Sequence, residues 1–248
     1  MSARIVTEAT ATASAGALSI AEVFGPTFQG EGPSLGRRCS FVRLSGCNLR
    51  CSWCDTPYTW DWTGVTGQAY EPTEERRSLG TDAIFDWISS QGTDMVVITG
   101  GEPLLQQRRL LPLIRRCAAR DLRVEVETAG TVAPLPAVAD AVTQFNVSPK
   151  LANSANTLTR RYRPKAIDLL QATGKAVWKF VAVDADDLLE VDDIVNRHGL
   201  RPVYVMPEGV SQEQLTDRTR RLTEHVLGRG WNLTTRLHIL VYGNQRRV

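Results

Sequence analysis

Three cysteines lie close together in one short stretch, at Cys47, Cys51 and Cys54. Thiolates at positions i, i+4 and i+7 of one loop can surround a single compact inorganic centre. Structural zinc usually takes four protein ligands as two separated pairs, and no second pair follows here. A [4Fe–4S] cluster bound by three cysteines leaves one iron open for a substrate or cofactor. The residues therefore favour an open iron–sulfur cluster over zinc, and zinc over three free thiols.

The other cysteines and the histidines are distant in sequence from this loop. Cys39 and Cys117 are isolated and are expected to be small buried side chains. The histidines are His198, His225 and His238, and their distance from the loop weakens a Cys/His zinc site. Clustered free thiolates that hold metal are typical of a reducing compartment, so we predict a cytoplasmic protein.

Composition excludes several classes of protein. Hydrophobic residues make up 42% of the 248 residues and charged residues 23%, as in ordinary globular domains. No run of about 18 apolar residues is present, so no membrane partner is expected. The net charge of +2 is too even for binding nucleic acid by charge alone. A small molecule is the expected partner.

Short β-branched runs alternate with helical patterns, which predicts parallel βα units and an α/β fold. Residues 1–17 have no apolar period and are predicted to be a disordered tail. Residues 18–248 are predicted to form a single catalytic domain, with 57–80 as an inserted loop. Strands are predicted at 18–24, 40–44, 95–99, 123–127, 144–148, 177–183, 202–206 and 238–242. Helices are predicted at 81–90, 110–119, 164–173, 185–197 and 212–227.

Polar and glycine-rich clusters follow four of these strands. Because functional loops of βα units lie at the carboxyl ends of the strands, we expect them to share one face. The clusters are Thr99-Gly100-Gly101-Glu102, Glu127-Thr128, Ser148-Pro149-Lys150 and Met206-Pro207-Glu208-Gly209.

The Cys-x3-Cys-x2-Cys loop and the later run Gly100-Gly101-Glu102-Pro103 together resemble the radical S-adenosylmethionine superfamily. In that superfamily the open iron chelates the methionine amino and carboxylate groups. One electron then cleaves the sulfonium and yields a 5′-deoxyadenosyl radical. The resemblance implies an incomplete, modified TIM-like (βα) barrel that carries a [4Fe–4S] cluster on Cys47, Cys51 and Cys54.

Within this superfamily the chain is similar to the 7-carboxy-7-deazaguanine synthase family, from about Ile20 to the last residue. The resemblance implies a lyase that contracts the ring of 6-carboxy-5,6,7,8-tetrahydropterin, with loss of ammonia, in queuosine-type 7-deazapurine biosynthesis. It also implies a homodimer and a reducing protein partner such as flavodoxin or ferredoxin. The matching motifs are Glu22–Gly32, Phe41–Cys47, Cys54-Asp55-Thr56, Glu127–Thr131, Asn146–Lys150 and Arg236–Asn244.

The same resemblance assigns the cofactor side of the site. Thr56 would place its hydroxyl on a Mg²⁺ ion that also binds the substrate; a turn hydroxyl is the alternative. Gly101 and Glu102 would approach the methionine end of S-adenosylmethionine. The remaining residues on this side would be Trp53, Cys54, Asp55, Ser148, Pro149, Lys150, Met206, Pro207, Glu208 and Gly209.

It also assigns the substrate side. Arg43 would pair with the substrate carboxylate, with an exposed salt bridge as the alternative. His238 would face the substrate, with a buried core histidine as the alternative. The terminal carboxylate of Val248 would bind the pterin, so residues 244–248 should fold inward. Phe28, Gln29, Gly30, Glu31 and Thr99 would complete this set.

Two other functions stay open from the residues. A glycyl-radical activase shares the cysteine loop and the Gly-Gly-Glu-Pro run, but acts on a protein substrate. A zinc-stabilised interaction module is the non-enzymatic alternative. The runs Thr27–Gly32 and Cys54–Thr56 favour the lyase.

Overall fold

The computed structural model describes residues 16–248. The predicted N-terminal tail therefore falls, apart from its last two residues, outside the described part of the chain. Within that part, no helix has the length and apolar character needed to cross a membrane.

The described residues alternate between strands and helices along nearly the whole chain. The strands are β1 Leu18–Phe28, β2 Arg38–Leu44, β3 Arg77–Leu79, β4 Met95–Gly100, β5 Arg123–Thr128, β6 Gln144–Val147, β7 Ala176–Ala182, β8 Val203–Pro207 and β9 Asn232–Leu233. The helices are α1 Pro72–Glu75, α2 Thr81–Ser90, α3 Gln107–Ala118, α4 Pro136–Ala141, α5 Leu158–Arg161, α6 Pro164–Ala172, α7 Asp187–His198, α8 Gln212–Leu227 and α9 Leu237–Tyr242.

The strands form one sheet in the order β3-β1-β2-β4-β5-β6-β7-β8-β9. β1 pairs antiparallel with both β2 and β3, whereas every pair from β2 to β9 is parallel. The parallel βα units are thus confirmed. The antiparallel start was not predicted, because strand direction depends on pairing with distant residues.

Two predicted elements need correction. The apolar run 238–242 was expected to be a strand, but it forms helix α9, which ends at Gly243 with φ +67°. A short apolar run fits a strand and a buried helix turn equally well, so periodicity could not separate them. The segment 57–80 is not irregular throughout: it contains a 3₁₀ turn, α1 and β3, and β3 pairs with β1.

The sheet must curl. Six strand spacings separate β1 from β8, which would be roughly 29 Å in a flat sheet. Yet Phe24 of β1 and Met206 of β8 line the same cavity. The terminal strands β3 and β9 do not pair with each other, so the barrel is open. This confirms the incomplete TIM-like barrel.

Apolar side chains pack on both faces of the curled sheet. All seven residues of β7 are buried, as expected for a parallel strand with one face under helices and the other facing the barrel interior. Inside the barrel, Phe24 and Phe41 stack with ring centroids 4.8 Å apart, and the buried Cys39 packs with them. Cys117 lies in the main core. Both isolated cysteines are therefore buried side chains, as predicted.

Candidate active site

One cavity opens where the parallel strands end. The cysteine loop, the loops after β4, β5, β6 and β8, strand β7 and the last five residues of the chain all contribute to its lining. The expectation that polar loops share one face is therefore confirmed.

The three cysteines follow β2 and line this cavity together. Cys51 is buried, while Cys47 and Cys54 are partly exposed, and none forms a disulfide. One N–H group points at each sulfur: that of Leu49 at Cys47 (3.4 Å), the Asn156 side-chain amide at Cys51 (3.3 Å) and the Trp60 indole at Cys54 (3.3 Å). Such donors stabilise sulfur ligands that carry negative charge.

These thiols suit an iron–sulfur cluster. Burial raises the pKa of Cys47 to about 12 and also raises the pKa values of Cys51 and Cys54, so the thiols ionise when metal displaces their protons. Among residues 16–248 no three His, Cys, Asp or Glu side chains converge on a site for a single metal ion. Three soft sulfur donors around one cavity, each with its own N–H partner, form the donor set that a [4Fe–4S] cluster requires.

The loop after β6 fixes the cysteine loop from one side. The Trp53 indole donates to the backbone oxygen of Asn153 at 3.1 Å and to its side-chain oxygen at 3.2 Å. Asn156 Oδ1 accepts from the Arg50 amide at 2.9 Å, while its Nδ2 reaches Cys51. Sequence reasoning did not predict Asn153 or Asn156 as site residues. The polar loop that follows β6 was the signal that could have indicated them.

The Gly-Gly pair fixes the cysteine loop from the other side. The Gly101 amide donates to the Leu44 carbonyl at 3.2 Å, and the Glu102 amide donates to the Gly46 carbonyl at 2.9 Å. A Cβ atom at Gly100 or Gly101 would clash with these backbone atoms. Glycine is therefore required here for contact with the cysteine loop, and Gly101 also lines the cavity.

The carboxylate of Glu102 makes its hydrogen bonds within the protein. Its carboxylate does not line the cavity; it accepts from the Leu104 amide (3.1 Å), the Thr128 hydroxyl (2.8 Å) and the Ala129 amide (2.9 Å). Burial raises the pKa of Glu102, and these donors offset that effect only in part. Glu102 thus joins the loops after β4 and β5, and its contact with the methionine amino group stays a prediction.

Most of the other predicted cofactor-side residues lie on the cavity wall. Lys150 donates to the Ser148 carbonyl (3.0 Å) and hydroxyl (2.9 Å), and its ammonium lies 5.6 Å from the centre of the Trp53 ring. The residues of this set on the wall are Trp53, Cys54, Asp55, Thr56, Gly101, Ser148, Lys150, Met206 and Glu208. Besides Glu102, the predicted residues Pro149, Pro207 and Gly209 are not part of the wall.

All eight predicted substrate-side residues line the cavity: Phe28, Gln29, Gly30, Glu31, Arg43, Thr99, His238 and Val248. The side-chain amide of Gln29 donates from Nε2 to Glu127 Oε1 at 3.1 Å. Gly30 touches the His238 ring so closely that any Cβ there would clash. Burial lowers the pKa of His238, so its imidazole is neutral at neutral pH.

Two buried cations, Lys179 and Arg236, form ion pairs with acidic residues of the cavity wall. Sequence reasoning did not predict either of them as a site residue. Lys179 of β7 pairs with Glu31, and Arg236 pairs with Asp55 while donating to the Gly209 carbonyl at 2.7 Å. Although burial alone would raise the pKa of Glu31, Lys179 and Arg236 hold it well below its usual range. Glu31 is therefore an ionised acceptor. A single lysine within the otherwise uncharged strand β7 was the available signal.

Glu22 forms a second buried charge centre. Its carboxylate, only 1% exposed, accepts from Arg43 Nε at 3.3 Å and from the Tyr58 hydroxyl at 2.8 Å. The tail residues Arg246 and Arg247 reach the same carboxylate at 3.0 Å and 3.3 Å. Arg43 thus belongs to a largely buried cluster of charges on the cavity wall, which corrects the alternative of an exposed salt bridge.

Comparisons with known proteins agree with this geometry. Residues 41–181 match the radical SAM superfamily. The 7-carboxy-7-deazaguanine synthase of Pyrobaculum aerophilum is 36% identical over 230 residues, which cover 92% of this chain and 96% of that protein. The synthase of Hyperthermus butylicus is 35% identical over 231 residues, which cover 90% and 92%.

A solved structure has a similar fold. QueE from Escherichia coli aligns with a TM-score of 0.68 at 26% identity, covering 90% of this chain and 95% of that chain. Since both the relatives and the solved structure span almost the entire barrel, the chain belongs to the 7-carboxy-7-deazaguanine synthase family of the radical SAM superfamily.

Proposed function

We propose that this chain converts 6-carboxy-5,6,7,8-tetrahydropterin into 7-carboxy-7-deazaguanine, with loss of ammonia. The observation that carries the proposal is one cavity in which three cysteines face a polar wall made by Gln29, Glu31 and His238. That wall suits a flat heterocycle with a fixed pattern of donors and acceptors. A protein-activating function needs an open groove, whereas residues 244–248 line this cavity.

When bound, the cluster and S-adenosylmethionine supply the 5′-deoxyadenosyl radical. The residues of the chain bind and orient the reactants around it. Ionised Glu31 accepts from pterin N–H groups, and neutral His238 can both donate and accept. Arg43, held on Glu22, offers its remaining N–H groups to the substrate carboxylate. Lys150 and Ser148, close to Trp53, face the S-adenosylmethionine side.

The test is an anaerobic assay of the reconstituted protein with the pterin and S-adenosylmethionine. Expected results are a brown protein, 7-carboxy-7-deazaguanine detected by mass spectrometry, and release of 5′-deoxyadenosine. Cleavage of S-adenosylmethionine without product from this pterin would overturn the substrate. A colourless protein that holds zinc would overturn the cluster.

We further propose that Thr56 binds Mg²⁺ together with the substrate. Its side chain lines the cavity, and its hydroxyl lies 3.8 Å from Cys54 Sγ. It precedes the 3₁₀ turn Pro57–Thr59 without a capping hydrogen bond from its side chain. A hydroxyl that donates to this sulfur still has oxygen lone pairs for a ligand. Mg²⁺ needs few protein oxygens because water and substrate supply the rest.

The substitution Thr56→Val should preserve iron content but lower turnover and weaken the response to added Mg²⁺, because valine keeps the shape and removes the oxygen. The measurement is turnover against Mg²⁺ concentration. Thr63→Val, at an exposed threonine of the same segment, is the matched control. Unchanged Mg²⁺ dependence in Thr56→Val would return Thr56 to a turn role.

On the basis of the same family resemblance, we propose a flavodoxin or ferredoxin as the reductant, a homodimer as the working form and the cytoplasm as the location. A cluster of this kind needs a one-electron donor, and both carriers supply one. Three free thiols at the site agree with a reducing compartment.

A further inference from the structure

Arg246, two residues before the end of the chain, joins three distant parts of the molecule. Its Nε donates to Glu22 of β1 at 3.0 Å. Its two terminal nitrogens donate to the two carboxylate oxygens of Glu75 in α1, at 3.1 Å and 2.7 Å. Its guanidinium carbon lies 3.6 Å from the centre of the Tyr58 ring. The tail is therefore attached to the barrel and to the segment 57–80 by one side chain.

These contacts are of the kinds that restrain a chain end. A two-pronged guanidinium–carboxylate pair fixes orientation as well as distance. The side chains of Glu22 and Glu75 are only 1% and 17% exposed, while Arg246 is 39% exposed. Solvent therefore reaches these pairs mainly from the arginine side and screens them less than a fully exposed ion pair. The Tyr58 ring adds a cation–π contact on one face of the guanidinium.

The backbone makes a turn directly after Arg246, at Arg247. Arg247 has φ +65°, the left-handed region, which a residue with a side chain adopts at a cost and keeps only where its surroundings impose it. Arg247 Nε lies 3.3 Å from Glu22, so both arginines hold the same carboxylate. After this turn Val248 is half-buried on the cavity wall beside the predicted substrate residues.

We propose that Arg246 is a positioning residue for the substrate: it fastens the tail to Glu22 and Glu75 so that the terminal carboxylate of Val248 stays on the pterin side of the cavity. This inference rests on the proposed function. A second consequence is that the tail and the segment 57–80 restrain each other, because Tyr58 and Glu75 of that segment both contact Arg246. Loss of Arg246 should therefore affect substrate binding and coupling more than S-adenosylmethionine binding.

The experiment compares Arg246→Gln, Arg246→Lys, Glu75→Gln and the double variant Arg246→Gln with Glu75→Gln. We expect Arg246→Gln to raise the KM for the pterin about tenfold or more, since charge-assisted bonds are lost. The ratio of 5′-deoxyadenosine to product should rise, with iron content and the KM for S-adenosylmethionine unchanged. Lysine should restore part of the loss. The double variant should be little worse than Arg246→Gln alone, because the contact between Arg246 and Glu75 is already lost in Arg246→Gln.

A matched control is Arg221→Gln, an exposed arginine of α8 paired with Asp217, which should leave every readout unchanged. Hydrogen exchange without substrate gives a readout independent of activity: residues 57–80 and 244–248 should exchange faster in Arg246→Gln. Wild-type KM and coupling in a folded Arg246→Gln variant would overturn the inference. If the wild type fails to convert the pterin, the proposed function fails, while the exchange result still decides whether Arg246 holds the tail.

Discussion

Replacing Cys51 by alanine should reduce both product formation and S-adenosylmethionine cleavage to background. Two thiolates, those of Cys47 and Cys54, are too few to hold a [4Fe–4S] cluster with one open iron. Cys51 is also the most enclosed of the three, since it is 7% exposed and accepts from the side chain of Asn156 at 3.3 Å.

The measurement is iron and sulfide content per chain, taken beside 5′-deoxyadenosine release. Cys39→Ala is the matched control, because that thiol lies in a separate apolar cluster with Phe24 and Phe41 and should keep the cluster loaded. Far-ultraviolet circular dichroism checks that both variants fold. Four irons per chain and normal cleavage in Cys51→Ala would remove Cys51 from the ligand set.

Extending the chain by two glycines beyond Val248 should lower kcat/KM for the pterin about tenfold or more. The extension moves the terminal carboxylate but leaves Arg246 free to bind Glu22 and Glu75, so it isolates the effect of the carboxylate. A hydrogen bond to a charged group contributes about 1.5–3 kcal/mol, and about 1.4 kcal/mol corresponds to one factor of ten in rate. Deleting residues 245–248 should have an equal or larger effect.

The readout is a parallel assay of product and 5′-deoxyadenosine. Cleavage of S-adenosylmethionine should continue in the extended chain, because the residues predicted to bind it lie in the cysteine loop and in the loops after β4, β6 and β8. Adding the same two glycines before Met1 is the control and should change nothing. Wild-type product formation from the chain with the C-terminal extension would refute a role for the carboxylate and weaken the case for this substrate.

Local features of the sequence were sufficient for the cysteine loop, the Gly-Gly pair and the positions of the long elements. Cys47, Cys51 and Cys54 belong to one loop, so their spacing alone limits what they can surround. Helices α2 and α8 begin and end where the residue pattern places them. The buried strands β4 and β7 are apolar runs apart from Lys179 and the end of β4, Thr99-Gly100. Parallel βα connections then place the functional loops at one end of the sheet.

Motif matching predicted a set of substrate-side residues that line one cavity. It could not say which donor pairs with which acceptor. Glu102 matched a family motif, yet its carboxylate is used by Leu104, Thr128 and Ala129 within the protein. A motif fixes the residue type, whereas the direction of a side chain depends on which donors the neighbouring strand brings within hydrogen-bond distance.

The chain by itself determined the chemistry at the cysteine loop and the order of the βα units, because both depend on residues that are near one another in sequence. Only the tertiary structure decided the charge pairs of the cavity: Lys179 with Glu31, Arg236 with Asp55, and Arg246 with Glu22 and Glu75. Residues of each pair are separated by more than 100 positions, and they meet because the curled sheet and the returning C-terminus place them on one wall. Glu22, Glu31, Lys179 and Arg236 are buried away from water, so each needs a partner, since an unpaired charge there would be costly.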